Sequence, residues 1–183
     1  SRILAFGNAP FADDRDSSDN LVNMMREMTG ADIVNCSISG SYLATQETQL
    51  DAEACPQDIF NFYWLCNIAA HNTAICSEYL KGLDILGDSA PPEAREVYDF
   101  LTTTDLADVD AVVVMYDASD YLAGHEMYND SNATDVTQFT GNTEAGIEYL
   151  QYFFPHIRII VLSPTYAFGL DENGDYISSD IQR

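Results

Sequence analysis

The stretch Ile3-Leu4-Ala5-Phe6-Gly7-Asn8-Ala9-Pro10 decides how this chain is read. An apolar run ends at a glycine and passes into a polar, acidic segment, Phe11-Ala12-Asp13-Asp14-Arg15-Asp16-Ser17-Ser18, read as a loop leading to an amphipathic helix. Uninterrupted apolar strands belong to buried parallel sheets, and in open α/β sheets the site lies outside the carboxyl ends of the strands. The Gly7-Asn8-Ala9 turn is therefore the first place to look for chemistry.

Working outward, Leu21, Met25 and Met28 recur at helical spacing, with Val22 and Met24 broadening the face, and Gly30 follows as a stop. Ser17, Ser18 or Asp19 can cap this helix, and Asp16 and Asp19 suit its N-terminus. Residues 31–36 read as a second strand that empties into Ser37-Ile38-Ser39-Gly40-Ser41, completing a βαβ unit whose crossover should be right-handed. Residues 111–116, Ala-Val-Val-Val-Met-Tyr, form the strongest strand and run into Asp117-Ala118-Ser119-Asp120-Tyr121. A fourth strand, residues 157–162, ends at Ser163-Pro164-Thr165. Between these strands lie a long aromatic helical region at 56–80, with His71 inside it, and helices at 93–101 and 140–153. On the last of these, Thr143, Ile147, Leu150 and Phe154 share a face, whereas 129–138 reads as a polar loop. The pattern predicts an α/β fold, doubly wound around a parallel sheet, in one domain over 1–183.

Thirty acidic against seven basic residues give a net charge of −23, which repels nucleic-acid phosphate and anionic membrane surfaces. No apolar run approaches the ~20 residues of a membrane span, and the chain opens on a strand rather than on a signal peptide. Cys36, Cys55, Cys66 and Cys76 are 19, 11 and 10 positions apart, so no Cys-x-x-Cys pair points to zinc or redox chemistry. Buried thiols are the favoured reading, with disulfides in an exported protein as the alternative. No cofactor and no metal are expected. A calcium site at Asp13, Asp14, Asp16 and Asp19 is disfavoured because Arg15 interrupts the cluster. Asp171, Asn173 and Asp175 begin like an EF-hand, but the glycine falls at position four and Gln182 stands at position twelve, so an ordinary Asn-Gly turn is expected. Asn35, Asn129 and Asn132 match the glycosylation acceptor pattern, which is common by chance.

Three strand ends in order, Gly7-Asn8-Ala9, Ser39-Gly40-Ser41 and Ala118-Ser119-Asp120, resemble the first three blocks of the SGNH (GDSL) hydrolases. The resemblance covers nearly the whole chain, including Pro164-Thr165-Tyr166 and the acidic turn at 171–175. It implies a three-layer, flavodoxin-like sheet with four strands here and, beyond Arg183, a further helix, a fifth strand and the family's late Asp-x-x-His segment. It also implies hydrolysis of short acyl esters, such as acetyl esters of small molecules or carbohydrates. By that resemblance Ala9 occupies the place of the nucleophilic serine, Asn8 that of the aspartate before it, and Gly40 that of the glycine whose N–H binds the oxyanion. Asp117 stands where the family has a glycine and Ser119 where it has the oxyanion asparagine. Asn8, Asp120 and His125 are expected to line the cleft. None of His71, His125 and His156 has an aspartate three residues before it, so none is a credible substitute for the family's base.

Two readings of function compete. One is a serine esterase of the SGNH type, inactive here because Ala9 has no hydroxyl; the other is a catalytically dead module that keeps the cleft to bind carbohydrate or peptide. A nucleotide-binding or receiver domain is disfavoured, because no Gly-rich phosphate loop follows the first strand. Bacterial members of the family are often extracellular or attached to the cell envelope, and that location is the expectation here. In the usual sheet order, two-one-three-four, the apolar fourth strand falls at the rim, where natural edges carry charges, prolines or bulges. It is expected to pair with another chain or a further segment, or to leave an exposed apolar edge, and 176–181 to lead as a capped loop into a helix.

Overall fold

The computed structural model describes residues 1–164 and 167–178. β1 (Arg2–Gly7) runs into a single-turn helix, α1 (Ala9–Ala12), and then α2 (Leu21–Thr29) and β2 (Asp32–Asn35) follow. A 3-10 turn at Pro56–Phe60 leads to α3 (Phe62–Ala69), α4 (Thr73–Leu86) and α5 (Ala94–Thr103). β3 (Ala111–Met115), α6 (Ser119–Leu122), α7 (Phe139–Phe153) and β4 (Arg158–Val161) come next, before a hairpin of β5 (Phe168–Leu170) and β6 (Tyr176–Ser178).

The four long strands form one parallel sheet in the order β2-β1-β3-β4, as the sequence predicts. Alternation along the strands divides the core between the two faces of the sheet. Leu4, Phe6, Val112 and Val114 pack with Phe62, Leu65, Tyr79, Leu101 and Leu150 of the helices that follow β2 and β3. Ala5, Val113, Met115 and Ile33 pack with Phe11 and Val22 on the opposite face. Helices on both faces make the fold doubly wound. Gly7 is fixed by the sheet itself: a Cβ there would stand 2.1 Å from the Met115 carbonyl oxygen of the adjacent strand.

The structure corrects several local expectations. Neither Ser17, Ser18 nor Asp19 caps α2; Asn20 does, its side chain accepting from Val22 and Asn23 N–H while its amide donates to the Phe11 and Asp13 carbonyls. Those two tertiary bonds select Asn20 over its neighbours. The helix turns Val22 inward and leaves Leu21, Met24 and Met28 exposed, so the apolar face is rotated from the one expected. The region 56–80 is not one helix, because His71 at φ 60° breaks it and Asn61 and Asn72 each cap a new start. Residues 176–178 pair in a hairpin through the 171–175 turn rather than forming a capped loop; the rest of that expectation, 179–183, lies outside the described residues, as do Thr165 and Tyr166.

All four cysteines are free thiols, Cys36 and Cys66 buried, and burial pushes the Cys36 thiol up to about 12. Arg15 explains the acidic segment around it: its guanidinium donates to the Asn35 and Ser37 carbonyls at 2.6 and 2.8 Å, tying that segment to the exit of β2. Among the described residues no three His, Cys, Asp or Glu side chains are grouped to hold a metal ion, and no helix is long and apolar enough to cross a membrane.

Candidate site at the carboxyl edge of the sheet

Three loops meet at the buried side chain of Asn8. Its amide nitrogen donates to the Ser41 carbonyl at 3.1 Å and to Asp117 Oδ1 at 2.8 Å, and its Oδ1 accepts the Asp117 N–H at 2.9 Å. Asp117 Oδ1 also accepts the Ser119 N–H at 2.9 Å. One amide therefore holds the ends of β1, β2 and β3 in a fixed arrangement. A carboxylate at position 117 needs a donor opposite it, which Asn8 supplies and an ionised aspartate at position 8 would not.

The positions named from the sequence flank this hub. Ala9 follows Asn8 at the start of α1, half-buried, and its methyl group offers no nucleophile. Gly40, next to Ser41, is exposed at φ 69°, a left-handed conformation that a side chain would strain. Its N–H has no protein acceptor among the described residues. Ser119 opens α6 half-buried, with its N–H committed to Asp117.

Asp120 is fully buried and holds a second junction. Its carboxylate accepts the Leu43 and Ala44 N–H groups at 3.0 and 2.9 Å, so the loop after β3 clamps the loop after β2 again. Gly124, at φ 78°, turns the chain after α6 so that the His125 N–H reaches the Asp120 carbonyl. The imidazole then lies 2.9 Å from the same carboxylate through Nδ1, with its ring edge against Tyr42. A carboxylate oxygen accepts, so in this contact the hydrogen is on Nδ1. His125 lines a small cavity of about 130 Å³ with Tyr42, Thr45, Gln57, Asp58 and Asn61. Burial raises the Asp58 carboxyl above its usual range, opposed by the Glu47 and Gln46 N–H bonds it accepts. Spacing alone could not single out this Asp-His pair, because the five-residue return depends on α6 and on Gly124. The other two histidines lie elsewhere: His71 is exposed between α3 and α4, and His156 contacts the Leu106 carbonyl.

No family model matches the sequence, and no curated protein matches it. A crystal structure superposes over 98% of this chain with a TM-score of 0.54 and 17% sequence identity. The chain spans 63% of the length of that structure. At this identity the likeness is one of fold, and the class it supports is the doubly wound α/β protein with loops gathered at the carboxyl edge of a parallel sheet.

Proposed function

We propose that the carboxyl edge is an ester-binding site of the SGNH type, taking short acyl esters such as acetyl esters, and that Ala9 leaves this chain unable to turn them over. The observation that supports the reading is the Asn8 hub, which joins the loops after β1, β2 and β3. In this scheme the Gly40 N–H and the Ser119 hydroxyl face the oxygen on which charge develops during acyl transfer. Donors fixed in advance stabilise such an oxyanion without reorganisation. The attacking oxygen is what the site lacks, and donors alone leave only a small acceleration over water.

The test is hydrolysis of p-nitrophenyl acetate by the parent chain and by Ala9→Ser, each with and without added imidazole as an external base. The parent should stay near the solution rate in both conditions, and Ala9→Ser should gain activity when imidazole is present. Ordinary enzymatic turnover by the parent would refute the assigned role of position 9. No gain in the serine variant would leave the second reading, a binding module without chemistry, which the short Ser119 in the asparagine place also favours.

A further inference from the structure

Away from the sheet edge, α3 and α7 form the walls of a second, larger depression of about 840 Å³. Five aromatic rings run along it in unbroken contact. Trp64 lies 4.6 Å from Tyr63, Tyr63 6.0 Å from Tyr149, Tyr149 4.8 Å from Phe153, and Phe153 4.8 Å from Tyr152, centroid to centroid. The ladder begins at buried Trp64 and ends at Tyr152, which is 80% exposed. Rings that serve only the core do not continue into solvent in this way, and a contiguous exposed apolar patch rimmed by polar groups marks a binding surface.

The rim specifies the chemistry of the occupant. Asp135, Glu148, Asn132 and Gln151 line the groove, and no Lys, Arg or His is among its described lining residues. Hydrogen bonds from Thr137 and Asn129 hold the Asp135 carboxyl below its usual range, so it is an ionised acceptor at neutral pH. Trp64 Nε1 is a buried donor without an acceptor in the groove wall. Flat apolar rings beside carboxylate and amide acceptors suit a ligand with apolar ring faces and many hydroxyl donors. The absence of cationic lining, within a chain of net charge −23, disfavours phosphorylated or uronic ligands.

We propose that the α3–α7 groove binds a neutral oligosaccharide, its sugar rings stacked on the Tyr63–Tyr149–Phe153–Tyr152 ladder and its hydroxyls on the acidic and amide rim. The groove adjoins the His125 cavity: Val136 lines the groove, and the Val136 carbonyl accepts both the N–H and the hydroxyl of Thr45, which lines that cavity. A glycan in the groove thus lies beside the His125 cavity, and its binding does not rest on ester chemistry.

Trp64 is the only tryptophan in the chain and sits in the groove, so its fluorescence reports on occupancy directly. Cellohexaose, xylohexaose and mannohexaose would be titrated against the unaltered chain, with an oligogalacturonate as the anionic control and calorimetry in parallel. At least one neutral hexasaccharide should shift Trp64 emission saturably, and the anionic one should not. Tyr152→Ala removes an exposed ring and should weaken binding by roughly three- to tenfold, the fold-change equivalent of one stacking contact. Failure of all three neutral sugars to bind at millimolar concentration overturns the proposal, as does binding that Tyr152→Ala leaves unchanged. Concentration-dependent dimerisation abolished by Tyr152→Ala would also overturn it, by showing the groove to be a contact between copies. Since Ala9 is retained throughout, failure here leaves the ester-site reading untouched.

Discussion

Asn8 shows how one side chain can define a site that the sequence only outlines. Its amide serves two acceptors and its carbonyl one donor, all of them groups 33 or 109 residues away in the chain. Asn8→Asp tests whether the amide and Asp117 act as a pair. The substitution removes the donor and sets two carboxylates at hydrogen-bond distance, so the new group ionises less readily in the folded state than in the unfolded one. Its folded pKa is then raised, and the variant's deficit is smallest below the unfolded carboxylate pKa, where the new group is protonated in both states. It grows as pH rises through the ordinary carboxylate range and levels off above the raised value. Chemical denaturation at pH 7 should show a loss of about 1–3 kcal/mol, the range for a buried polar group left without its partner. The double variant Asn8→Asp, Asp117→Gly, which removes the second carboxylate, should recover part of it. A pH-independent loss, unaffected by the second substitution, would show that Asn8 acts through shape rather than through its donor.

At the scale of elements, the strands were legible and the junctions between helices were not. β1 and β3 announce themselves because continuous apolar runs are required of strands covered by helices, and β4 carries the same apolar pattern although Ile160 and Val161 stand exposed. The α2 cap was illegible because four neighbouring residues can all accept from a helix N-terminus, and the choice fell to the tertiary bonds that Asn20 makes. The break at His71 had no sequence signal stronger than the helical periodicity it interrupts. The positions of Ala9, Gly40, Ser119 and Asp120 could be read from strand ends, whereas the Asp120–His125 pair and the aromatic ladder arise only when α6, α3 and α7 are placed. The α3–α7 contact offers a sharp test. Asn142, buried, donates to Asn61 Oδ1 at 2.9 Å and accepts the Tyr63 N–H at 3.1 Å, and a Cβ on Gly146 would stand 2.4 Å from the Phe62 ring. Gly146→Ala must therefore push α7 off α3, at a cost of roughly 1–3 kcal/mol for overpacking a filled site. Near-ultraviolet circular dichroism and Trp64 emission should both change, since the displaced helix carries one side of the ladder. The β5–β6 hairpin behaves differently: the backbone N–H of Asp175, and after it that of Asn173, hold the Asp171 carboxyl below its usual range. Its contribution to the hairpin is present above the unfolded carboxylate pKa and is lost as pH falls through the lower folded value. Amide signals of 171–175 should lose their dispersion over that acidic window, and Asp171→Asn should shift the response.

For the molecule as a whole, charge and one unpaired edge pull in opposite directions. Two of the seven basic residues hold backbone: Arg15 serves the Asn35 and Ser37 carbonyls and Arg26 the Ile33 carbonyl. Side-chain ion pairs of Lys and Arg among the described residues are confined to Arg2–Asp32, Lys81 with Glu53 and Glu78, and Arg95–Asp99. These are exposed pairs, whose contribution is small. Most of the 30 acidic groups therefore repel one another, and that repulsion reaches about 30 Å at 0.01 M salt but only about 8 Å at 0.15 M. Thermal stability at pH 7 should accordingly rise with sodium chloride over this range, the reverse of a fold held by surface ion pairs. The same repulsion should oppose contact between copies at β4, where Ile160 and Val161 are 48% and 49% exposed and no described strand pairs on the outer side. Unpaired, apolar edges are templates for strand addition, and here charge is the obstacle to it. Towards pH 4, close to the isoelectric point of about 4.1, carboxylates take up protons and the obstacle disappears. Sedimentation velocity should show a single species at pH 7 in low salt and association between pH 5 and pH 4. Ile160→Lys, which puts a charge on the edge as natural edges do, should suppress that association more than Tyr152→Lys on the aromatic groove. Equal suppression by the two variants, or association that Ile160→Lys leaves intact, would mean that another surface carries the contact.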